Sequence, residues 1–117
     1  NESAQALRAV RAALPLLKSA DLVHIAVIDP SPHGPERSDP GGPLAVFLSR
    51  HGISSDIQVL NSGDLRVSER LEQHVREKSA NMMVMGGYGH TRFREAILGG
   101  ATRDMLEHAA VPVLMAH

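Results

Sequence analysis

Four glycines near the end of the chain have a spacing that could bind phosphate. Gly86 and Gly89 follow an apolar run that ends at Met85, and Gly99 and Gly100 come later, in the pattern Gly-x2-Gly-x9-Gly-Gly. A glycine after a strand lets the backbone turn and approach a ligand without a Cβ clash, so that its N–H groups can point at phosphate oxygens. The pattern indicates a phosphate site. A tight turn followed by a helix cap would explain the same glycines without a ligand.

The residues next to these glycines suit an anion in the same way. Gly100, Ala101 and Thr102 begin the last predicted helix. The unpaired amides and the positive end of the helix dipole attract negative charge there. Thr102 either offers a hydroxyl to the ligand or caps the helix. His90 directly follows Gly89 and either approaches a phosphate or is a solvated loop residue.

The composition of the chain limits the classes of protein to which it can belong. The 117 residues fit one domain, 43% of them are hydrophobic and 21% charged, and the formal net charge is -1. No overall positive field draws the chain to nucleic acid or to a membrane, so neither is an expected partner. There is no cysteine, which excludes disulfides and thiol catalysis and is compatible with a cytoplasmic location. No apolar run approaches the length of a membrane span.

The residues that fast phosphoryl transfer uses are missing from the sequence. There is no G-x4-G-K-[ST] element, no lysine beside the glycines and no carboxylate pair placed to hold Mg²⁺. The histidines lack metal-ligand spacing, and His24 is expected to be packed or hydrogen-bonded. Asp29 is either a turn residue or a contact to ribose or metal. We therefore predict a binding protein with no catalytic residues and no metal site.

Hydrophobic periodicity predicts strands that alternate with helices. An apolar stripe marks a first helix that Ser3 could cap and that Pro15 should kink or shorten. Ser62 or Asp64 is expected to cap a later helix whose Val67, Leu71 and Val75 face inward. The predicted strands are residues 22–28, 53–60, 82–85 and 111–115, and the other helices are residues 44–50 and 101–109. This alternation predicts an open, doubly wound, parallel α/β sheet.

The stretch Asn81 to His117, which contains MGGYGHTRFREAILGGATRDMLEHAAVPVLM, resembles the C-terminal half of universal stress proteins. NESAQALRAVRAALPLL and VHIAVIDP are similar to the first helix and second strand of that family. The resemblance implies the subgroup that binds ATP, or AMP or cyclic AMP, with or without Mg²⁺. It assigns Gly86, Gly89 and Gly99 to the phosphates. Gly100 stands where the family prefers Ser or Thr.

The same resemblance implies that Val27 meets adenine through its backbone and that Asn1 replaces an adenine-binding Asp. The candidate nucleotide-binding residues are Asn1, Val27, Met85, Gly86, Gly89, His90, Gly99, Gly100, Ala101 and Thr102. Valine at Gly86 or Gly99 is expected to abolish nucleotide binding and to leave the fold intact.

The fold implied by the resemblance is a five-stranded parallel sheet of the adenine nucleotide alpha hydrolase type, with strand order 3-2-1-4-5. Its first, central strand is expected to precede Asn1, so residues 1–117 would form one domain that lacks it. The resemblance also implies a homodimer through Val111 to Met115, or pairing of two such domains in one tandem chain. The expected function is a nucleotide-dependent switch in stress response or signalling. A slow ATPase and a nucleotide-free dimerising module are the alternatives.

Overall fold

A computed structural model describes residues 4–30, 39–87 and 100–116. Strands alternate with helices along the whole of this described part, as predicted. The helices are α1 (Ala4–Leu17), α2 (Gly42–Arg50), α3 (Val67–Lys78) and α4 (Gly100–His108). The strands are β1 (Val23–Ile28), β2 (Ser55–Leu60), β3 (Met83–Gly86) and β4 (Val113–Ala116).

The strands form two parallel pairs. β1 pairs with β2 in a register that runs from Val23 opposite Ser55 to Ile28 opposite Leu60. β3 pairs with β4, with Gly86 opposite Ala116 at the far end. Within the described residues the sheet is therefore two two-stranded pieces rather than one continuous sheet. The two pairings are those of strands 2 with 3 and 4 with 5 in the predicted order.

The buried apolar residues form two clusters, one around β1 and α2 and the other around β3 and α4. Ile25 and Val27 of β1 pack with Leu48 of α2 and Val10 of α1 in the first core. The second core joins the two C-terminal helices to β3. Its buried members are Val75, Met83 and Met105. Each of the four helices therefore contributes at least one buried apolar residue to these clusters. An isolated two-stranded sheet would be only marginally stable without such packing.

Helix α1 continues through Pro15 to Leu17 instead of ending before it. Pro15 lies in the last turn, so it removes one backbone N–H that would otherwise donate to the carbonyl four residues earlier. The backbone N–H of Lys18 donates to the Leu14 carbonyl over 2.9 Å, and the Ser19 hydroxyl donates to the Pro15 carbonyl over 3.4 Å. These two bonds close the end of the helix despite the proline.

Helix α3 begins later than predicted, and neither expected cap is used. Arg66 is the N-cap, and its backbone N–H donates to the Glu69 carboxylate over 3.0 Å. The predicted inward position of Val67 is also wrong, because its side chain is 40% exposed, whereas Val75 is buried. Val67 lies in the first turn of α3 and lines a groove in the protein surface, so solvent reaches one side of its side chain.

Candidate nucleotide site

A groove of about 1240 Å³ lies between β1 and β3, and we call it the central groove. All of β1 and β3 line it, together with the start of α1 and Gly100 and Asp104 of α4. Four large apolar side chains that are substantially exposed also face it: Leu16, Leu22, Leu65 and Val67. The groove is thus an apolar trough between two sheet edges, with the N-terminus of a helix beside it.

The described part of the predicted site comes together at this groove. Val27, Met85, Gly86 and Gly100 all line it, although they are far apart in the chain. Ala101 and Thr102 continue α4 from Gly100. The remaining predicted residues lie outside the described residues: Asn1, Gly89, His90 and Gly99.

Gly86 has a packing role that the sequence pattern does not reveal. A Cβ atom at this position would lie 2.6 Å from the backbone nitrogen of Ala6 and 2.7 Å from the carbonyl carbon of Gln5. Real Cβ atoms do not approach backbone so closely, so the first turn of α1 sits where only glycine allows it. The expectation that valine at Gly86 leaves the fold intact is therefore wrong.

Gly100 has the opposite environment. It is the first residue of α4 and is exposed, and a Cβ built on it would meet no atom of the described residues within 4 Å. Its backbone does not need glycine, because its φ is outside the left-handed range. Gly100 can therefore be replaced without a clash with the described residues, and it lines the central groove.

The backbone of Val27 is directed to β2. The N–H of Val23 donates to the Ser54 carbonyl over 3.0 Å, and the N–H of Asp29 donates to the Leu60 carbonyl over 2.9 Å. Backbone groups point to alternate edges of a strand, so Val27 shares the direction of Val23 and Asp29. The groove-side edge of β1 therefore presents the backbone of Ala26 and Ile28, whereas Val27 contributes a buried side chain.

Asp29 takes the turn role that the sequence left open. It has a left-handed backbone with φ 47° directly after β1. Aspartate tolerates this conformation better than most side chains. Its carboxylate accepts the backbone N–H of Ser62 over 3.1 Å and also the Ser62 hydroxyl. These bonds, the hydroxyl first, lower the pKa of Asp29. The carboxylate ties the ends of β1 and β2 together.

The Asp29–Ser62 contact predicts an acid-sensitive loss of stability. Because the pKa of Asp29 is lowered in the folded state, its stabilisation is present above the ordinary aspartate pKa of about 3.9 and is lost as the pH falls through the folded value. We expect Asp29→Asn to be less stable than the original protein at neutral pH, and the difference to disappear as the pH falls through the lowered pKa of Asp29. Urea unfolding across this range measures the difference. Asp64→Asn, at another exposed position, is the matched control and should show no such effect.

His24 and His74 form a second titratable feature beside the groove. His24 Nδ1 lies 2.7 Å from Asp56 Oδ1, which confirms that this histidine is hydrogen-bonded. His74 is buried, and neither ring nitrogen has a hydrogen-bond partner in the described structure. The two rings meet edge to face with centroids 6.4 Å apart. Burial, and then the positive charge of Arg70, lower the pKa of His74, against the opposing effect of Glu77.

We expect His74 to weaken the fold in mild acid. The unfolded chain takes up a proton near the ordinary imidazole pKa of about 6.5, and the folded protein does not. Stability is therefore full above that pH and falls below it, by up to about 1.4 kcal/mol per pH unit. His74→Leu should remove this dependence in thermal unfolding between about pH 5 and pH 7. His108→Leu at an exposed site should retain it, and equal slopes in the two variants would contradict the assignment.

Two further classes of site are absent from the described residues. No group of three or more His, Cys, Asp or Glu side chains there could hold a metal ion. No helix in the same residues is long and apolar enough to cross a membrane.

The model of the universal stress protein family matches residues 1–117. The chain belongs to the universal stress protein family. This membership implies a role in stress response and agrees with the resemblance of the glycine-rich C-terminal half.

A relative of known sequence carries the same family name. The chain is 24% identical over 96 residues to Universal stress protein Slr1230 of Synechocystis sp. (strain ATCC 27184 / PCC 6803 / Kazusa). That match covers 81% of this chain and 32% of the relative, so the chain spans about a third of the length of that protein.

Two solved structures share the α/β fold. A universal stress protein from Archaeoglobus fulgidus superposes with a TM-score of 0.73 at 19% identity, over 100% of this chain and 92% of that one. A protein of the universal stress protein family from Burkholderia pseudomallei gives a TM-score of 0.64 at 23% identity, over 98% and 89% of the two chains.

Proposed function

We propose that this universal stress protein domain binds ATP, or a related adenine nucleotide such as AMP or cyclic AMP, and acts as a switch in stress response. The observation that carries the proposal is the meeting of Gly86 and Gly100 at one groove. The phosphates would lie at the first turn of α4, where free amides and the helix dipole favour an anion. Mg²⁺ would bind with the nucleotide rather than in a protein site of its own.

Gly100 affects the expected affinity rather than the kind of ligand. A glycine retains the backbone amide of this position and lacks the hydroxyl of Ser or Thr, which costs about 1 kcal/mol for one hydrogen bond. The exposed Arg103 follows in the same helix and adds positive charge near this end. The chain keeps the three glycines that set the spacing, and this favours a nucleotide-binding domain over a nucleotide-free interaction module.

Titration calorimetry with ATP, AMP and cyclic AMP tests the proposal. We expect saturable binding of at least one of them, and no saturable heat with any would favour the interaction module. A single-turnover assay with ATP and Mg²⁺ separates the switch from a slow ATPase. The switch predicts no hydrolysis above the protein-free rate, because the sequence lacks the lysine and the carboxylate pair that fast phosphoryl transfer uses.

We also propose that a central strand occupies the groove between β1 and β3, leaving the carboxyl end of β3 at Gly86 to the nucleotide, and joins the two strand pairs into a five-stranded sheet of order 3-2-1-4-5. In this arrangement β2, β1, β3 and β4 are strands 3, 2, 4 and 5. The support is the apolar trough between two sheet edges, because exposed apolar edges are normally paired or covered. Such a sheet would give the fold of the adenine nucleotide alpha hydrolase type.

Hydrogen exchange on the protein as the cell makes it tests the central strand. A strand in the groove would protect the amides of Ala26 and Ile28 to nearly the degree of Val27 and Asp29, which donate to β2. Amides of Ala26 and Ile28 that exchange at least about tenfold faster than those two would refute a paired edge.

The free edge of β4 supports a third proposal, self-association of the domain. β4 pairs only with β3 among the described strands, and all four of its residues are half-buried. Pairing with a second copy, or with a second domain of a tandem chain, would cover this edge. Sedimentation at several concentrations should show a dimer, and a monomer at all of them would exclude the homodimer.

We also propose that the protein is located in the cytoplasm.

A further inference from the structure

A buried side-chain pair connects α3 to the early part of α4. The hydroxyl of Ser68 donates to Asp104 Oδ2 over 2.7 Å. Ser68 is only 4% exposed, and the side chain of Asp104 is 17% exposed. A short, charge-assisted hydrogen bond in such surroundings fixes both partners well, because water competes weakly for it. The two helices are therefore tied together at one defined point.

Arg66 balances the charge of this carboxylate. Its Nε lies 3.9 Å from Asp104 Oδ2 and 3.1 Å from Glu69 Oε1. Arg66 is exposed, so its contribution to stability is small. Its guanidinium links Asp104 to the start of α3 as well. The directional contact in the group is the bond from Ser68.

The place of this pair on α4 relates it to the nucleotide site. Asp104 follows Gly100 by four residues, about one helical turn, so the two residues share a face of the helix. Both residues line the central groove. A shift of Asp104 would move the first turn of α4 with it. The position of the amides at that turn thus depends on the bond to α3.

Packing alone does not fix this part of α4. Met105 anchors the helix in the second core and is 3% exposed. A hollow of about 210 Å³ remains between α3 and α4, beside the pair, with polar walls that include Glu72, Arg76 and His108. Closely packed side chains would hold a helix in place without a polar bond. The packing between α3 and α4 is incomplete at this hollow. The Ser68–Asp104 hydrogen bond therefore holds α4 against α3 at a place where side-chain packing does not.

We infer that Ser68 and Asp104 are positioning residues, which hold the first turn of α4 where its amides can bind the nucleotide phosphates. This inference rests on the proposed function and adds a regulation point to it, since a change at the α3–α4 contact would alter phosphate binding from outside the site. In this account the pair acts through the position of α4 and not by binding the ligand itself. Loss of the pair should therefore weaken the binding of the phosphates and leave the binding of the adenosine part of the ligand unchanged.

Ser68→Ala measured with ATP and with adenosine tests the inference. We expect ATP affinity to fall about fivefold to tenfold, and adenosine affinity to stay within about twofold, because only the phosphate-binding amides are displaced. Ser68→Thr keeps the hydroxyl and should restore most of the ATP affinity. All titrations are made well below the unfolding temperature of each variant, so that a loss of stability alone changes neither affinity.

Glu72→Ala is the matched control. Glu72 also reaches from α3 to the α4 region, but it accepts the N–H of Ala110 over 3.3 Å, beyond the C-terminal end of α4. We expect ATP affinity in this variant to be unchanged. Equal losses for ATP and adenosine in Ser68→Ala, unchanged ATP affinity in it, or the same loss in Glu72→Ala would each overturn the inference. No ATP binding by the original protein would instead refute the proposed function, and the inference would fall with it.

Discussion

Replacing Gly86 with alanine is expected to lower the unfolding temperature by on the order of 10 °C. The added Cβ would lie within 3 Å of the α1 backbone at Gln5 and Ala6, and backbone cannot move aside as a flexible side chain can. Such overpacking costs about 1 to 3 kcal/mol. Helix α1 would have to move away from β3, against which it packs. Valine should have a larger effect than alanine.

Thermal unfolding of Gly86→Ala beside Gly100→Ala gives a matched comparison. Gly100 also lies in the proposed site, but its Cβ would meet no described atom within 4 Å, and alanine is the better helix former by about 1 kcal/mol. We therefore expect Gly100→Ala to be as stable as the original protein or slightly more stable. Similar unfolding temperatures for the two variants would contradict the packing role of Gly86.

Gly100→Glu is expected to weaken ATP binding at least about tenfold without loss of stability. A carboxylate at the first position of α4 interacts well with the helix dipole, so the fold gains up to about 1 kcal/mol. The same charge would lie where the nucleotide phosphates are proposed to bind and would repel them. Stability and affinity should thus change in opposite directions, which damage to the fold cannot produce.

Gly100→Gln separates charge from size in this experiment. Glutamine has nearly the same volume and no charge, so calorimetry should show a smaller loss of ATP affinity than with glutamate. The difference between the two variants should shrink at high salt, because salt screens exposed charges. Equal ATP affinity in the glutamate variant and the original protein would place the phosphates elsewhere.

The alternation of strands and helices could be predicted from the sequence because short apolar runs and helical stripes are local signals. The start of α3 could not. Ser62 looks like a helix cap in the sequence, but its hydroxyl and amide both donate to Asp29, which is 33 positions away. With Ser62 engaged there, the helix begins at Val67 after Arg66. The Asp29–Ser62 contact, which joins the ends of β1 and β2, thus uses the groups of Ser62 that would otherwise cap a helix.

The positions of two glycines of the candidate site could be predicted to a similar extent. The local pattern predicted that Gly86 follows a strand and that Gly100 begins a helix, and the structure has Gly86 at the end of β3 and Gly100 at the start of α4. The pattern did not distinguish Gly86, which is held against α1, from Gly100, which is open. The direction of the Val27 backbone and the burial of His74 also depend on which element lies on each side. Such neighbours are set by the tertiary fold.

Amide chemical shifts recorded during an ATP titration test the central claim most directly. If main-chain amides at the start of α4 and the end of β3 hold the phosphates, the largest changes should fall on Gly100, Ala101 and Gly86. Ile57 and Val59 on β2 should stay unchanged. Saturating ATP that moves no resonance, or that moves chiefly those of β2 and α2, would contradict the proposed site.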